Sequence, residues 1–259
     1  MYGELADLYD GLNRDQDPEE WAAYLLRLMA LAGVSPRSAV DAGCGTGRIA
    51  VAMAQRGIRV TGMDLSERML WRAQENARRA GVQIPFAQMD MRSIEVHRPV
   101  DAVFAACDGV NYLTDDRSVS GFFRSAWKAM RPGGVLVFDI SSAEKLAGMD
   151  GQLYFQDLDG VSLFWQNALE DGILRMELTF FVEQDGGLYR RFDEIHRQRL
   201  FRPEALKELL ARAGFGRIRV FGDRKEEAPA AGEARLFFLA VRPPEGSGVE
   251  TGRSGRNEA

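Results

Sequence analysis

Apolar positions along this chain change their period twice. Near the start, Trp21, Leu25, Leu28 and Met29 form one helical stripe behind Asp17-Pro18-Glu19-Glu20, a helix start, and residues 1–33 as a whole read as helical. Short apolar runs then alternate with amphipathic segments. The runs predict strands at Ser38–Asp41, Arg59–Asp64, Pro85–Gln88 and Val100–Ala106, with a fifth at Gly134–Ile140 after an Arg131-Pro132-Gly133-Gly134 turn. The segments predict helices near Arg48–Arg56, Glu67–Ala80 and Val119–Met130. Such alternation implies a parallel sheet with helices on both faces.

After Ser141 the period becomes that of strands. Leu153–Leu158, Ser162–Leu169, Ile173–Glu183 and Leu188–Phe201 are separated by Asp159-Gly160, Asp171-Gly172 and Asp185-Gly186-Gly187, and Asp-Gly is a strong hairpin signal. Consecutive hairpins make an antiparallel meander inserted in the parallel fold. A helix follows at Pro203–Ala213, with Gly214 beyond its end, and the strands Arg217–Phe221 and Arg235–Val241 complete the sheet. From Pro243 onward Gly, Ser, Glu and Arg dominate, which predicts disorder over 243–259.

The candidate chemistry begins at Val40-Asp41-Ala42-Gly43-Cys44-Gly45-Thr46-Gly47-Arg48. An apolar strand ends in an acid, and glycines at alternate positions lead into a helix. Glycine lets a ligand lie on the backbone, and the helix start offers unpaired N–H groups. Seventeen residues after Gly47, the next strand ends at Asp64, where a doubly wound sheet places the acid that holds ribose hydroxyls. A dinucleotide fingerprint would carry a further glycine or alanine where Arg48 stands.

Composition narrows the class. With 259 residues, 46% of them hydrophobic, the chain can bury one large core or a core with a subdomain. No apolar stretch reaches the length of a membrane span, and the start has neither a basic lead nor a signal-type apolar region, so a cytoplasmic enzyme is expected. Cys44 and Cys107 lie in different motifs, and neither a metal site nor a disulfide framework is expected. The net charge of −5 argues against general affinity for nucleic acid.

The pattern Asp-x-Gly-x-Gly-x-Gly resembles motif I of the class I S-adenosylmethionine-dependent methyltransferases. Three further segments narrow the resemblance: Leu5-Ala6-Asp7-Leu8-Tyr9-Asp10 with Trp21, Ala106-Cys107-Asp108-Gly109-Val110-Asn111-Tyr112-Leu113, and Asp193-Glu194-Ile195-His196-Arg197-Gln198-Arg199-Leu200-Phe201. These are similar to glycine N-methyltransferases and to the N,N-dimethyltransferases of amino sugars. The resemblance implies an α/β fold: a Rossmann-like doubly wound, mostly parallel seven-stranded sheet with an antiparallel β insertion before the last helix. It divides the chain into an N-terminal helical lid (1–33), a core (34–142 and 202–242), an insertion acting as a substrate lid (143–201) and the tail.

Carried onto this sequence, the resemblance implies S-adenosylmethionine as cofactor. Asp41 falls near the methionine ammonium, with turn capping as the plainer reading. Gly43 and Gly45 let the cofactor approach the backbone, and Asp64 accepts both ribose hydroxyls. Leu65 and Met69 flank the adenine, although Met69 reads equally as a core contact. Asp90 accepts from the adenine amino group beside the backbone of Met91, against simple strand-end capping. Tyr9 and Trp21 cover the methionine end, and Trp21 reads equally as a core anchor.

The segment after the fourth strand faces the methyl group, which brings in Cys107, Asp108, Asn111 and Tyr112. No Asn/Asp-Pro-Pro-Tyr/Phe motif occurs there, and Cys107 does not follow a proline, so covalent catalysis is not expected. Asp108, Tyr112 and His196 are the candidates for receiving a proton from an acceptor. On its strand His196 shares a face with Glu194 and Gln198. Five arginines in Arg190–Arg202 would form either an anion-binding wall or a charged edge strand. The expected acceptor is a small-molecule amine or hydroxyl, with RNA methylation and non-catalytic cofactor binding as alternatives. A homodimer is open to such a chain, and no membrane contact is expected.

Overall fold

The computed structural model describes residues 3–245; the tail expected to be disordered lies, from residue 246 on, outside the described residues. Seven strands form the larger sheet: β1 (Ser38–Ala42), β2 (Arg59–Asp64), β3 (Phe86–Gln88), β4 (Val100–Ala105), β5 (Met130–Ser141), β10 (Gly216–Phe221) and β11 (Arg235–Val241). Their spatial order is β10-β11-β5-β4-β1-β2-β3. The pairs β1–β2, β2–β3, β1–β4 and β4–β5 are parallel, whereas β11 runs antiparallel between β5 and β10. The direction of winding reverses between β1 and β4, so a crevice opens beyond the carboxyl ends of these strands.

The helices are α1 (Tyr9–Leu12), α2 (Pro18–Leu31), α3 (Arg48–Gln55), α4 (Glu67–Arg79), α5 (Asp116–Ala129), α6 (Ala143–Ala147) and α7 (Pro203–Arg212). Side-chain caps set several starts: Asp17 accepts from Glu19 N ahead of Pro18, and Ser66 accepts from Met69 N. Asp115 accepts from Ser118 N at 2.8 Å, so α5 begins before the Val119 predicted from apolar spacing. One core lies between the sheet and α5 with α7, built on Val40, Val103, Phe122, Phe138 and Leu210. The other lies against α2 and α3, built on Leu25, Leu28, Met53, Phe104, Val137 and Phe237.

Two expectations are refined here. The helix α2, expected as part of a lid over 1–33, is also a layer of the core, with Trp21, Tyr24, Leu25, Leu28 and Met29 buried. The predicted turn Arg131–Gly134 lies inside β5, as an irregular stretch where Gly133 takes φ +80° and the β4–β5 register shifts.

The insertion is a separate four-stranded antiparallel sheet, β6 (Leu153–Leu158), β7 (Val161–Glu170), β8 (Ile173–Gln184) and β9 (Leu188–Arg199), in sequence order. Its hairpins follow the turn chemistry: Asp159 and Gly160 have φ of 46° and 79°, Asp171 and Gly172 of 50° and 74°. Positive φ at both central residues is what a tight hairpin matching strand twist requires. Asn111 joins this sheet to the larger one, donating to Arg199 O at 2.9 Å and to Ser141 O at 3.2 Å.

One close approach constrains β2. A Cβ at Gly62 would fall 2.5 Å from ring carbons of Phe86 on β3, the residue paired with it. Gly62→Ala is expected to destabilise the protein by about 1–3 kcal/mol through overpacking. The check is a lowered urea midpoint at unchanged m-value, partly restored when Phe86→Leu is added.

Candidate active site

The crevice at the carboxyl ends of β1, β2 and β4 contains a cavity of about 450 Å³. Gly43 and Cys44 both donate their N–H to Met63 O at 2.8 Å, which folds the glycine loop back over β2. Gly45 N donates to Asp64 Oδ2 at 2.9 Å, and Ser66 N donates to Asp64 Oδ1 at 2.8 Å. Asp64 therefore fixes the loop as well as facing the cavity. Gly45 takes φ +53°, and a Cβ there would meet no atom within 4 Å, so its backbone lies open to a ligand.

The structure gathers most of the sequence-derived residues on this one wall. Tyr9, Trp21, Asp41, Gly43, Gly45, Asp64, Leu65, Met69, Met91, Cys107 and Tyr112 all line the cavity. Trp21 is both core anchor and lining: its ring lies 5.4 Å from Phe237, and it is 4% exposed. Met69 is likewise buried and lining. Asp90 departs from expectation. It is outside the lining, caps the turn Met91–Ser93 by accepting from Arg92 N at 2.8 Å, and binds the Arg92 guanidinium.

Asp108 and His196 also stand behind the lining, for different reasons. Asp108 accepts from Gln198 Nε2 at 2.6 Å and pairs with Arg235 at 3.1 Å, so its carboxylate is taken up. His196 is buried, and its Nδ1 lies 3.0 Å from the hydroxyl of Tyr112, which does reach the cavity. His196 Nε2 is 3.5 Å from Glu194 Oε2, and Glu194 Oε1 accepts from Gly3 N at 2.7 Å. Face-sharing on β9 was legible from alternation; the partnership with Tyr112, 84 residues away, was not.

Several contributors were not singled out by sequence. Arg48 donates to the carbonyls of Asn13 and Gln16 at 2.9 and 2.7 Å, which holds the N-terminal segment against the glycine loop. Thr46 donates to Asp10 at 2.6 Å in the same seam, and Gln16 Oε1 accepts from Cys107 Sγ at 3.4 Å. Asp139 on β5 is fully buried, pairs with Arg235 on β11 and accepts from Asp108 N at 3.0 Å. That contact helps hold Cys107 and Asp108 at φ of 59° and 53°, left-handed backbone that non-glycine residues seldom adopt. A charge in the apolar run of β5 was the available signal.

The electrostatics follow from burial. Burial and the neighbouring charge of Asp64 hold the Asp41 carboxyl well above the usual carboxylate range. Burial raises Asp64 as well, against the backbone N–H groups that favour its anion. Burial pushes the Cys107 thiol up, with Asp139 and Asp108 adding to the shift, so it stays protonated and is no nucleophile. Burial lifts the Tyr9 phenol too, leaving it a hydroxyl. Of the five arginines read as either an anion-binding wall or a charged edge strand, Arg190, Arg191 and Arg199 pair with Glu4, Asp193 and Asp116.

Residues 39–134 match a family described as "Methyltransferase domain". A Bacillus subtilis (strain 168) protein that carries a methyltransferase name is 36% identical over 246 residues, which span 93% of this chain and 97% of that one. The crystal structure of an S-adenosylmethionine-dependent methyltransferase from Clostridium acetobutylicum ATCC 824 superposes with a TM-score of 0.84 at 26% identity, covering 93% of this chain and 99% of that one. The chain belongs to the S-adenosylmethionine-dependent methyltransferases. This methyltransferase is also 27% identical over 193 residues to a glycine/sarcosine N-methyltransferase from Halorhodospira halochloris, spanning 72% of this chain and 68% of that protein. The cavity fits the cofactor's chemistry: it combines an open glycine backbone with two carboxylates, and its lining guanidinium is committed to backbone carbonyls. No helix among the described residues is long and apolar enough to cross a membrane.

The Arg235–Asp139 pair yields a stability test. Burial lifts Asp139 from 3.8 to about 6 despite the adjacent guanidinium, so its contribution to stability is present below the unfolded value and is lost as pH rises through about 6. Arg235→Met, which leaves this carboxylate without its cation, is expected to cost about 3–5 kcal/mol at neutral pH. Denaturant titrations at several pH values check the sign: the gap to wild type narrows as pH falls below the Asp139 transition.

Proposed function

We propose that this methyltransferase acts on an amine or hydroxyl of a small molecule admitted between the larger sheet and the insertion. The observation that carries the reading is the chain Tyr112–His196–Glu194, which runs from the cavity wall into the buried face of β9. Bound S-adenosylmethionine supplies an electrophilic methyl on a sulfonium, so positioning and exclusion of water are the protein's main tasks; alignment of this kind is worth about 7–11 kcal/mol.

An amine must present a lone pair, and a hydroxyl must shed its proton as the new bond to carbon forms. The Tyr112 hydroxyl faces that atom, receives the proton and passes its own to His196 Nδ1, while Glu194 stabilises the resulting imidazolium. Asp108, the other candidate from sequence, is held by Arg235 and Gln198 and serves the loop instead. In this reading Gly43, Gly45, Asp64, Leu65 and Met69 take the adenosine, with Met91 beside the adenine ring. Asp41, Tyr9, Trp21 and Cys107 surround the methionine end. The similarity to a glycine/sarcosine N-methyltransferase supports small amines as the first acceptors to assay.

Asp64→Ala is expected to lose at least tenfold in S-adenosylhomocysteine affinity by calorimetry, and full affinity would sink the assignment. Tyr112→Phe keeps that affinity but lowers turnover about 10²-fold or more with any acceptor found in a screen of labelled methyl transfer. Asp41 gives a proton signature. Its carboxyl is raised in the free protein, and a ligand ammonium favours the anion, so binding releases a proton and weakens as pH falls. Calorimetry in buffers of different ionisation enthalpy reads this release, which Asp41→Asn abolishes.

A further inference from the structure

The first half of β2 has no strand on its outer side. The edge strand β3 pairs only Phe86, Ala87 and Gln88, with Gly62, Met63 and Asp64, so Arg59, Val60 and Thr61 extend beyond it. The gap is a groove of about 1040 Å³ at the amino ends of β1, β2 and β4, the opposite end of the sheet from the cofactor cavity. The last turn of α4, residues 82–85 and the loop that enters β4 wall it.

The charge around this groove is of one sign. Arg59 comes from the start of β2, Arg78 from the last turn of α4 and Arg98 from the loop before β4, and all three line it. No Asp or Glu lines it, in a chain with 38 acidic and 33 basic residues. None of the three pairs with a carboxylate among the described residues, whereas arginines around them do. On α4 Arg72 takes Asp7 and Glu75, and Arg79 takes Glu75. Asp101, three residues beyond Arg98, is held by Arg131 and by the N–H groups of Arg37 and Ser38 at 2.6 and 3.0 Å. Three like charges around one recess repel one another, and a shared anion relieves that repulsion.

The backbone favours an anion as well. A helix C-terminus ordinarily disfavours negative charge. Here the last carbonyls of α4 are taken up, since Asn76, Ala77 and Arg78 accept from the N–H groups of Ala80, Val82 and Gly81. By the alternation that sends Gly62 N to Pro85 O, Val60 directs its own N–H into the groove. One residue of open edge is too short for a peptide to add as a strand.

Size and lining choose among anions. The volume is that of a large small-molecule site, of which a lone phosphate would fill little. A polynucleotide needs a basic track over several nucleotides, whereas this recess belongs to a chain of net charge −5. Val82, Ile84, Pro85 and Pro99 give it an apolar wall, and Gln74 and Gln83 add amides. We propose that the groove binds a nucleoside polyphosphate: the three arginines hold the phosphate chain, and the apolar wall takes the nucleoside. The planar fork of arginine matches phosphate oxygens two at a time, which a lysine at the same place would not.

Equilibrium dialysis of the full chain against labelled GTP tests this, with S-adenosylhomocysteine saturating the cofactor cavity so that it cannot take the nucleotide. GTP should bind with a Kd on the order of 10–100 µM. Guanosine should not compete, and tripolyphosphate should compete at least tenfold more weakly than unlabelled GTP. Arg78→Gln and Arg98→Gln should each lower GTP affinity at least tenfold while Tm and S-adenosylhomocysteine affinity stay unchanged, which separates a lost site from a lost fold. Absence of GTP binding up to about 1 mM overturns the proposal, as does binding that both variants leave intact. So does tripolyphosphate competing as well as GTP, which would make the site one for bare phosphate chains. Single-stranded RNA that displaces GTP more tightly the longer it is would overturn it too, as the mark of a polynucleotide track.

Discussion

The pairing of Arg235 with Asp139 lies where three parts of the molecule meet. Asp139 belongs to β5 and Arg235 to β11, so their contact crosses the antiparallel seam of the large sheet. The same guanidinium reaches Asp108 on the loop after β4 and lies 5.3 Å from the ring centre of Trp21 on α2. Through Asp108 and Gln198 it also touches the insertion. Isolated ion pairs of this depth seldom add net stability, because desolvation offsets the attraction. Here the pair fixes geometry: with Asp108 N bonded to Asp139, two consecutive residues hold a backbone conformation that would otherwise relax.

With that guanidinium committed, the cavity itself is left acidic. Asp41 and Asp64 face it, and the arginine on its lining, Arg48, is bound to carbonyls of the N-terminal segment. Both carboxyls have raised proton affinity as a result of burial. A cationic ligand relieves this arrangement, whereas an anionic one would aggravate it. The distinction matters because a glycine-rich loop leading into a helix serves phosphate groups in many other proteins. The second strand-end acid and the committed arginine separate the two uses more clearly than glycine spacing does.

What could be read from the sequence was local chemistry repeated along the chain. The two Asp-Gly hairpins fold as such because positive φ at adjacent positions is a property of the turn alone. Asp41, the glycines and Asp64 meet because a parallel strand pair in register brings consecutive strand ends together. Relations between distant segments were not legible. Nothing near Tyr112 announces His196, and nothing near Glu194 announces Gly3, since each contact depends on how the insertion rests on the core. Asp90 stands outside the cavity lining for a nearer reason: Arg92, two residues on, offers a partner that position within the strand order does not reveal.

The place of β11 has a consequence for how the chain is made. Synthesis runs from β1 toward β11, yet β11 fills the slot between β5 and β10. Until residues 235–241 emerge, β5 has a partner on one side only, and its last eight residues, destined for full burial, offer a long apolar edge. While residues 142–234 are being made this protein therefore carries a core strand half unpaired, a window in which capture by a chaperone competes with aggregation.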